Sequence, residues 1–283
     1  MVSLISSVKI LNSQQSVELW DFSKANIDKE SRINGVTQVA SICYQSPKAL
    51  NSEVLFNRLS QESIGLPSSS FEFIPVLLDL SNGLHRDVYE MDNKENDVVK
   101  YGIRVNEDYW LTNYRAIVTD YHKYEPLYKF DIRTIYNKTE KEIKIIKDNF
   151  IVFMFNTDLS TRSQMVRHRV SWQELSRRYV SGKRVNFDFY ISKNMKKITH
   201  NNFTMEDFIS LACDFYDTAL KEGIRPEDAR RIIPQAMTTK IWGGFSRKQL
   251  DNFYKLRLDK KAQYEIREIA SAMKNLESFI MIN

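Results

Sequence analysis

The stretch NFIVFMFNT, residues 149–157, constrains this chain more than any other. Its apolar centre is rich in aromatic and β-branched residues and is bounded by Asn and Asp, so it reads as a buried strand rather than a helix of that length. Asp158 or Ser160 can then cap a helix through STRSQMVRHR, so the strand runs directly into a basic segment. Neither this run nor FIPVLLDL approaches the roughly 18 apolar residues of a membrane helix. The N-terminus lacks a basic region followed by a long apolar stretch. The expectation is a soluble, cytoplasmic chain with no membrane partner.

Other elements follow from their own signals. SVKILNS and SVELWDF read as short strands joined by a polar turn, and KANIDKESRINGVTQVASICY as a helix with Ile33, Val36, Val39, Ala40 and Cys43 inward. A second helix is expected from about 48 to 62, ended by GLPSSS before a strand through FEFIPVLLDL. From about 81 to 148 the composition turns to Asp, Asn, Lys and Tyr, which reads as an insertion. Inside it a helix is expected from Thr112, with KFDIRTIYN and KTEKEIKIIK as a peripheral hairpin or strand pair.

Further on, Thr204 with Asp207 forms a variant capping box for a helix that Gly223 closes, and Pro226 opens PEDARRIIPQAM as another. Two last helices, about 246–256 and 260–280, carry an inward stripe at Ile266, Ile269, Met273, Leu276 and Ile280. A faint echo links TNYRAIV with SRKQLDNFYKLR, and no other repeat is evident. The sum is a single α+β domain over 1–283, with a mixed or antiparallel sheet, packed helices and a helix-rich C-terminal half.

Composition excludes several chemistries. Eight glycines leave no glycine-rich phosphate loop of either common pattern. Cys43 and Cys213 are too few for a disulfide framework and are not spaced as a zinc pair, so no metal site is expected. The net charge of +5 is concentrated: between Arg162 and Arg184 seven basic residues face one acid, Glu174.

Within that cluster, QMVRHRVSWQELSRRY offers guanidinium forks at Arg167, Arg169 and Arg178, with His168, the Ser176 hydroxyl, the Gln173 amide and the Glu174 carboxylate between them. Such a set suits a nucleotide. A solvated basic face binding nucleic acid is the competing reading. Val166, Trp172, Leu175 and Tyr179 count against it, because side chains of that kind need burial.

RHR followed by QELSRRY resembles the signature of the flavin-dependent thymidylate synthases: Arg-His-Arg, a spacer, Asn or Gln, Glu, any residue, Ser, any residue, Arg, Tyr. SSFEF resembles that family's Thr-Pro-Phe-Glu-His stretch, giving Ser69, Phe71 and Glu72 as counterparts. PEDARRIIP and SRKQLDNFYKLRLDKKAQYEI are similar to its C-terminal half, where Arg230, Asn252 and Arg257 match family positions. The likeness covers most of the chain outside 81–148, and a subset of the family carries a similar insertion with a T-N-Y-R stretch.

The resemblance implies a thymidylate synthase-complementing-protein-like fold, a homotetramer with sites shared between subunits, and conversion of dUMP to dTMP. It implies 5,10-methylenetetrahydrofolate as carbon donor, FAD as hydride donor and NADPH as reductant, with no nucleic-acid partner. By the same resemblance dUMP falls to Gln164, Arg167, Glu174, Ser176, Arg178, Arg230 and Arg257. Arg257 is the catalytic candidate, since a guanidinium at the uracil O2 and N3 edge stabilises charge that develops there. FAD falls to Ser69, Glu72, Arg167, His168, Arg169, Gln173, Glu174, Ser246, Lys248 and Asn252.

No protein thiol is then required, and neither cysteine has a Pro-Cys-His setting like that of the other thymidylate synthase type. The chain departs from the family in one spacer and at four residues. The spacer from Arg169 to Ser176 is one residue short, Phe73 and Pro67 stand where histidines are usual, and Ser246 and Lys248 stand where Asn and Arg are usual. Hydroxymethylation or another C5 modification of a pyrimidine deoxynucleotide is the alternative reaction, and a basic nucleic-acid-binding module the alternative class.

Overall fold

The computed structural model describes residues 3–4, 9–12, 15–45, 49–60, 67–90, 96–124, 131–176 and 187–282. The chain opens with β1 (Ser3–Leu4), β2 (Lys9–Asn12) and β3 (Gln15–Asp21), the last burying alternate residues from Gln15 to Leu19. Helix α1 (Lys29–Tyr44) starts where the Asp28 side chain accepts the Ser31 N–H, and it buries Val36, Val39 and Ala40 as expected. Helix α2 (Glu53–Leu59), capped by Ser52, is shorter than the 48–62 expected.

FEF is not strand. Ser69–Phe73 winds as a 3-10 turn capped by the Ser68 hydroxyl, and β4 (Pro75–Asp79) begins only after it. Then come α3 (Gly83–Glu90), α4 (Asp97–Lys100), β5 (Ile103–Arg104), β6 (Tyr109–Asn113) and α5 (Tyr114–Tyr124). Thr112 therefore lies in a strand, and the helix expected from it starts two residues later.

KTEKEIKIIK forms α6 (Glu140–Asn149), not a hairpin strand. Thr139 and Glu142 close a reciprocal capping box, and Ile143 and Ile146, three apart, bury one face. β7 (Phe150–Asp158) is the buried strand expected from 149–157, and Asp158 caps α7 (Leu159–Met165). β8 (Ser171–Glu174), β9 (Thr199–His200) and β10 (Phe203–Thr204) lead to α8 (Met205–Lys221), where Thr204 and Asp207 cap each other. Gly223 follows it at φ +84, a conformation that favours glycine.

The helix after Pro226 is only one turn, α9 (Pro226–Ala229), succeeded by a 3-10 turn at Arg230–Ile232. The chain then enters β11 (Thr238–Ser246), a strand not anticipated from the sequence. α10 (Arg247–Arg257) and α11 (Tyr264–Ile282) complete it, and Ile266, Ile269, Met273 and Leu276 of α11 are buried.

The main sheet runs β1-β3-β7-β11-β8, with β2 also on β3, and every pairing is antiparallel. β11 lies between β7 and β8, opposite β7 from Thr238↔Asp158 to Ser246↔Phe150. One face buries Phe153, Phe155, Ile241 and Phe245 under α10 and α11. The other buries Val152 and Trp242 under α1, the 3-10 turn and α5. Gly243 permits this packing, since a Cβ there would lie 2.7 Å from the Trp172 ring and 2.8 Å from that of Phe245.

A second sheet, β4-β6-β5, is also antiparallel. Val88, Val98, Tyr114, Ile117 and Ile135 belong to the same core as Val36 and Trp242, so segment 81–148 is built into the molecule rather than laid over it. Among the described residues no helix is long and apolar enough to cross a membrane, and no group of three potential ligands could hold a metal ion.

Candidate functional site

The end of α10 meets the turn after α7. There the Arg257 Nε donates to His168 Nε2 at 2.8 Å, and its Nη2 donates to the Gln164 carbonyl at 2.9 Å. His168 is 7% exposed, with its ring 4.7 Å from that of Phe253. Burial first, and then the Arg257 charge, hold its pKa down at about 4. The imidazole is therefore neutral at pH 7, accepting at Nε2, which puts its proton on Nδ1.

Arg257 is itself pulled below its ordinary pKa, by burial and then by the like charge of Arg167. Among the described residues neither arginine pairs with a carboxylate. Two guanidinium groups near each other, with a neutral histidine as neighbour, leave positive potential for an anion to neutralise.

β8 carries the next group along the edge of β11. The Gln173 amide oxygen accepts from the Ser69 hydroxyl, and its Nε2 donates to Cys43 Sγ at 2.6 Å. Cys43 in turn donates to the Glu174 carbonyl at 3.0 Å. The Glu174 carboxylate is held by Arg162 and by the Thr239 hydroxyl at 3.3 Å. Thus α1, the 3-10 turn and β8 are stitched together at the residues the motif singles out.

A cavity of about 550 Å³ opens beside them. Glu72, Arg169 and Ser246, all expected from the sequence, line it, as do Asn113 and Arg115, which were not. Arg115 pairs with Glu72 and donates through Nε to the Pro67 carbonyl at 3.0 Å. Glu72 is therefore a paired carboxylate on a 3-10 turn, not one on an edge strand. Ser246 caps α10 reciprocally with Gln249, whose Nε2 also donates to the Arg169 carbonyl at 2.8 Å.

Several expected residues lie apart. Lys248 and Asn252 are exposed on α10, and Gln164 bonds Gln263 through its side chain. Arg230 is exposed on its 3-10 turn, donating to the Glu227 carbonyl at 3.2 Å. Ser176 is half-buried, whereas Arg178 and Tyr179 fall outside the described residues. The overlooked Asn113 and Arg115 had one signal in the sequence, the TNYR echo of the SRKQ segment.

The family model described as thymidylate synthase complementing protein matches residues 134–279. The chain is 37% identical over 113 residues to a flavin-dependent thymidylate synthase of Pyrococcus abyssi, covering 39% of this chain and 46% of the relative. It is 32% identical over 148 residues to one of Aquifex aeolicus, covering 46% of each. With one of Geobacter sulfurreducens it shares 32% identity over 114 residues, 40% of this chain and 49% of the relative. The chain thus spans about half the length of the curated relatives it matches. The family match extends from the end of segment 81–148 through β7, the Arg-His-Arg turn, β8 and β11 into α11, and on that ground the chain belongs to the thymidylate synthase complementing protein family.

Proposed function

We propose that the chain is a flavin-dependent thymidylate synthase that methylates dUMP reductively to dTMP, with 5,10-methylenetetrahydrofolate as carbon donor and NADPH as reductant. The observation that carries this reading is the environment of Arg257. Its Nε and Nη2 are committed to His168 and Gln164, while Nη1 has no partner among the described residues. A guanidinium so fixed can face the O2 and N3 edge of a uracil and stabilise negative charge as C5 becomes nucleophilic. The neutral His168 orients it without adding a second repulsive charge.

The residues also fit a flavin dinucleotide. The cavity offers the Arg169 guanidinium, which has no partner among the described residues, and the wall residue Thr112 carries a buried hydroxyl without one. Bound FAD supplies the hydride that completes the methyl group. Arg167, His168 and Arg169 would stand along it, with Ser69, Gln173 and Glu72 on the side of the 3-10 turn.

For dUMP, Arg178, Arg230, Gln164 and Ser176 suit phosphate and sugar, and Glu174 balances the arginines around it. Arg230 lies on an exposed turn, and Phe208, Leu211 and Phe215 form an exposed apolar stripe on α8. Both features favour self-association in which subunits complete one another's sites, and the family resemblance extends this to a cytoplasmic homotetramer. Incubation with dUMP, the folate, FAD and NADPH, followed by mass analysis of the nucleotide, tests the reaction. A product heavier than dUMP by one methylene is expected; a 5-hydroxymethyl product, or unchanged dUMP, would overturn it.

A further inference from the structure

The cavity lies where two similarly built strand-to-helix junctions meet. In one, β6 ends at Asn113, opposite the first residue of β4, Pro75, and α5 begins at Tyr114. In the other, β11 ends at Ser246, opposite the first residue of β7, Phe150, and α10 begins at Arg247. Each junction residue caps its own helix three positions on: Asn113 Oδ1 accepts the Ala116 N–H at 3.0 Å and Ser246 Oγ the Gln249 N–H at 3.4 Å. Asn113 and Ser246 both line the cavity, so the positive ends of two eleven-residue helices converge on it.

Two guanidinium groups stand on the same walls. Arg169 has no side-chain partner among the described residues, and Arg115 commits Nε to Pro67 and Nη1 to Glu72, leaving Nη2 unbonded. Lys100 adds a third cation, set against the acids Glu72, already held by Arg115, and Asp97. Tyr101, 58% exposed, stands at the cavity with the Lys100 ammonium 5.2 Å from its ring centroid, so a flat ring can stack only on the face that Lys100 leaves open. Thr112 supplies the buried hydroxyl without a partner.

We propose that Arg115, carried by segment 81–148 and outside the family match, is a binding residue for the adenosine diphosphate half of a dinucleotide, forming with Arg169 a two-sided clamp on the diphosphate. Glu72 fixes the plane of the Arg115 fork, so that Nη2 stays aimed at a phosphate oxygen instead of being shared with solvent. Tyr101 offers its face to the adenine. The assignment deepens the flavoenzyme reading and rests on it. The same half occurs in FAD and in the nicotinamide nucleotides, and the experiment separates the two sources.

The test compares the full-length chain with Arg115→Gln and Arg115→Lys, titrating ADP, adenosine, FAD and NADPH by calorimetry and following thermal unfolding. Loss of a charge-assisted phosphate contact should weaken ADP and one of the two dinucleotides about ten- to a hundredfold in Arg115→Gln. Adenosine affinity should stay unchanged, while the melting temperature reports separately on the lost Glu72 and Pro67 contacts. Loss for FAD alone places the flavin dinucleotide there, and loss for NADPH alone places the reductant there. Arg115→Lys keeps the charge without the fork, so an intermediate loss is expected even if Arg115→Gln unfolds. Equal weakening of adenosine and ADP, or unchanged ADP binding in folded Arg115→Gln, would overturn the clamp. The wider flavoenzyme reading fails separately, if the unaltered chain binds no FAD.

Discussion

The β6–α5 and β11–α10 junctions share register and capping, yet their helices end in different surroundings. α10 delivers Arg257 to a buried, neutral histidine, whereas the last turn of α5 holds His122 exposed to solvent. The strands differ too: at the position where β6 carries Trp110, β11 carries Gly243, counted back from the paired ends Asn113 and Ser246. β11 lies between β7 and β8 in the larger sheet, covered on both faces by aromatic side chains, whereas β6 is the middle strand of the three-stranded sheet. One local design thus yields a cationic wall in one case and a cavity wall plus a fixed guanidinium in the other, because the surrounding layers differ.

The largest expected effect removes what only α10 delivers. Arg257→Ala should cut turnover about 10²–10³-fold, the cost of one donor to developing charge, with the fold retained. Near-normal turnover at saturating substrates would remove Arg257 from the chemistry. Next comes its partner. His168 has a folded pKa of about 4, below its unfolded value of about 6.5, so between these the unfolded chain binds more protons. Stability should therefore fall as pH drops from about 6.5 to 4, by up to about 3 kcal/mol, and this component should be absent in His168→Gln. Denaturant titrations across that range, on the unaltered chain and on His168→Gln, check it.

Gly243→Ala should destabilise by about 1–3 kcal/mol, since the new methyl meets the rings of Trp172, Phe245 and Phe155. A neutral result in thermal unfolding would mean that the rings yield more than their packing indicates. The smallest effects sharpen the likeness of the two junctions. Asn113→Ala and Ser246→Ala should each cost about 1 kcal/mol through the lost cap. A cost at only one of them would break the equivalence.

Elements announced by strong local chemistry were legible in the sequence. The apolar run at β7, the Asp158 cap and the Thr204–Asp207 box all stand where the residues put them. β11 was not, because two adjacent glycines weaken a strand signal and the rings that require Gly243 come from elsewhere in the chain. In α6 the charged and apolar residues mimic strand alternation, although Thr139 and Glu142 already form the T-x-x-E capping signal. The site divides in the same way. Arg167, His168, Arg169, Gln173 and Glu174 sit in one contiguous motif, while Asn113 and Arg115 reach the cavity that Arg169 lines only through the pairing of β6 and the docking of α5. Proximity of that kind has no period in the sequence.

If flavin and pyrimidine nucleotide meet beside the Arg257–His168 pair, as proposed, the visible absorption spectrum of the FAD-loaded protein should respond to titration with dUMP. FAD should be retained on desalting, and dUMP should shift its bands saturably. A protein that binds no FAD, or whose bound flavin is indifferent to dUMP, would overturn the proposal.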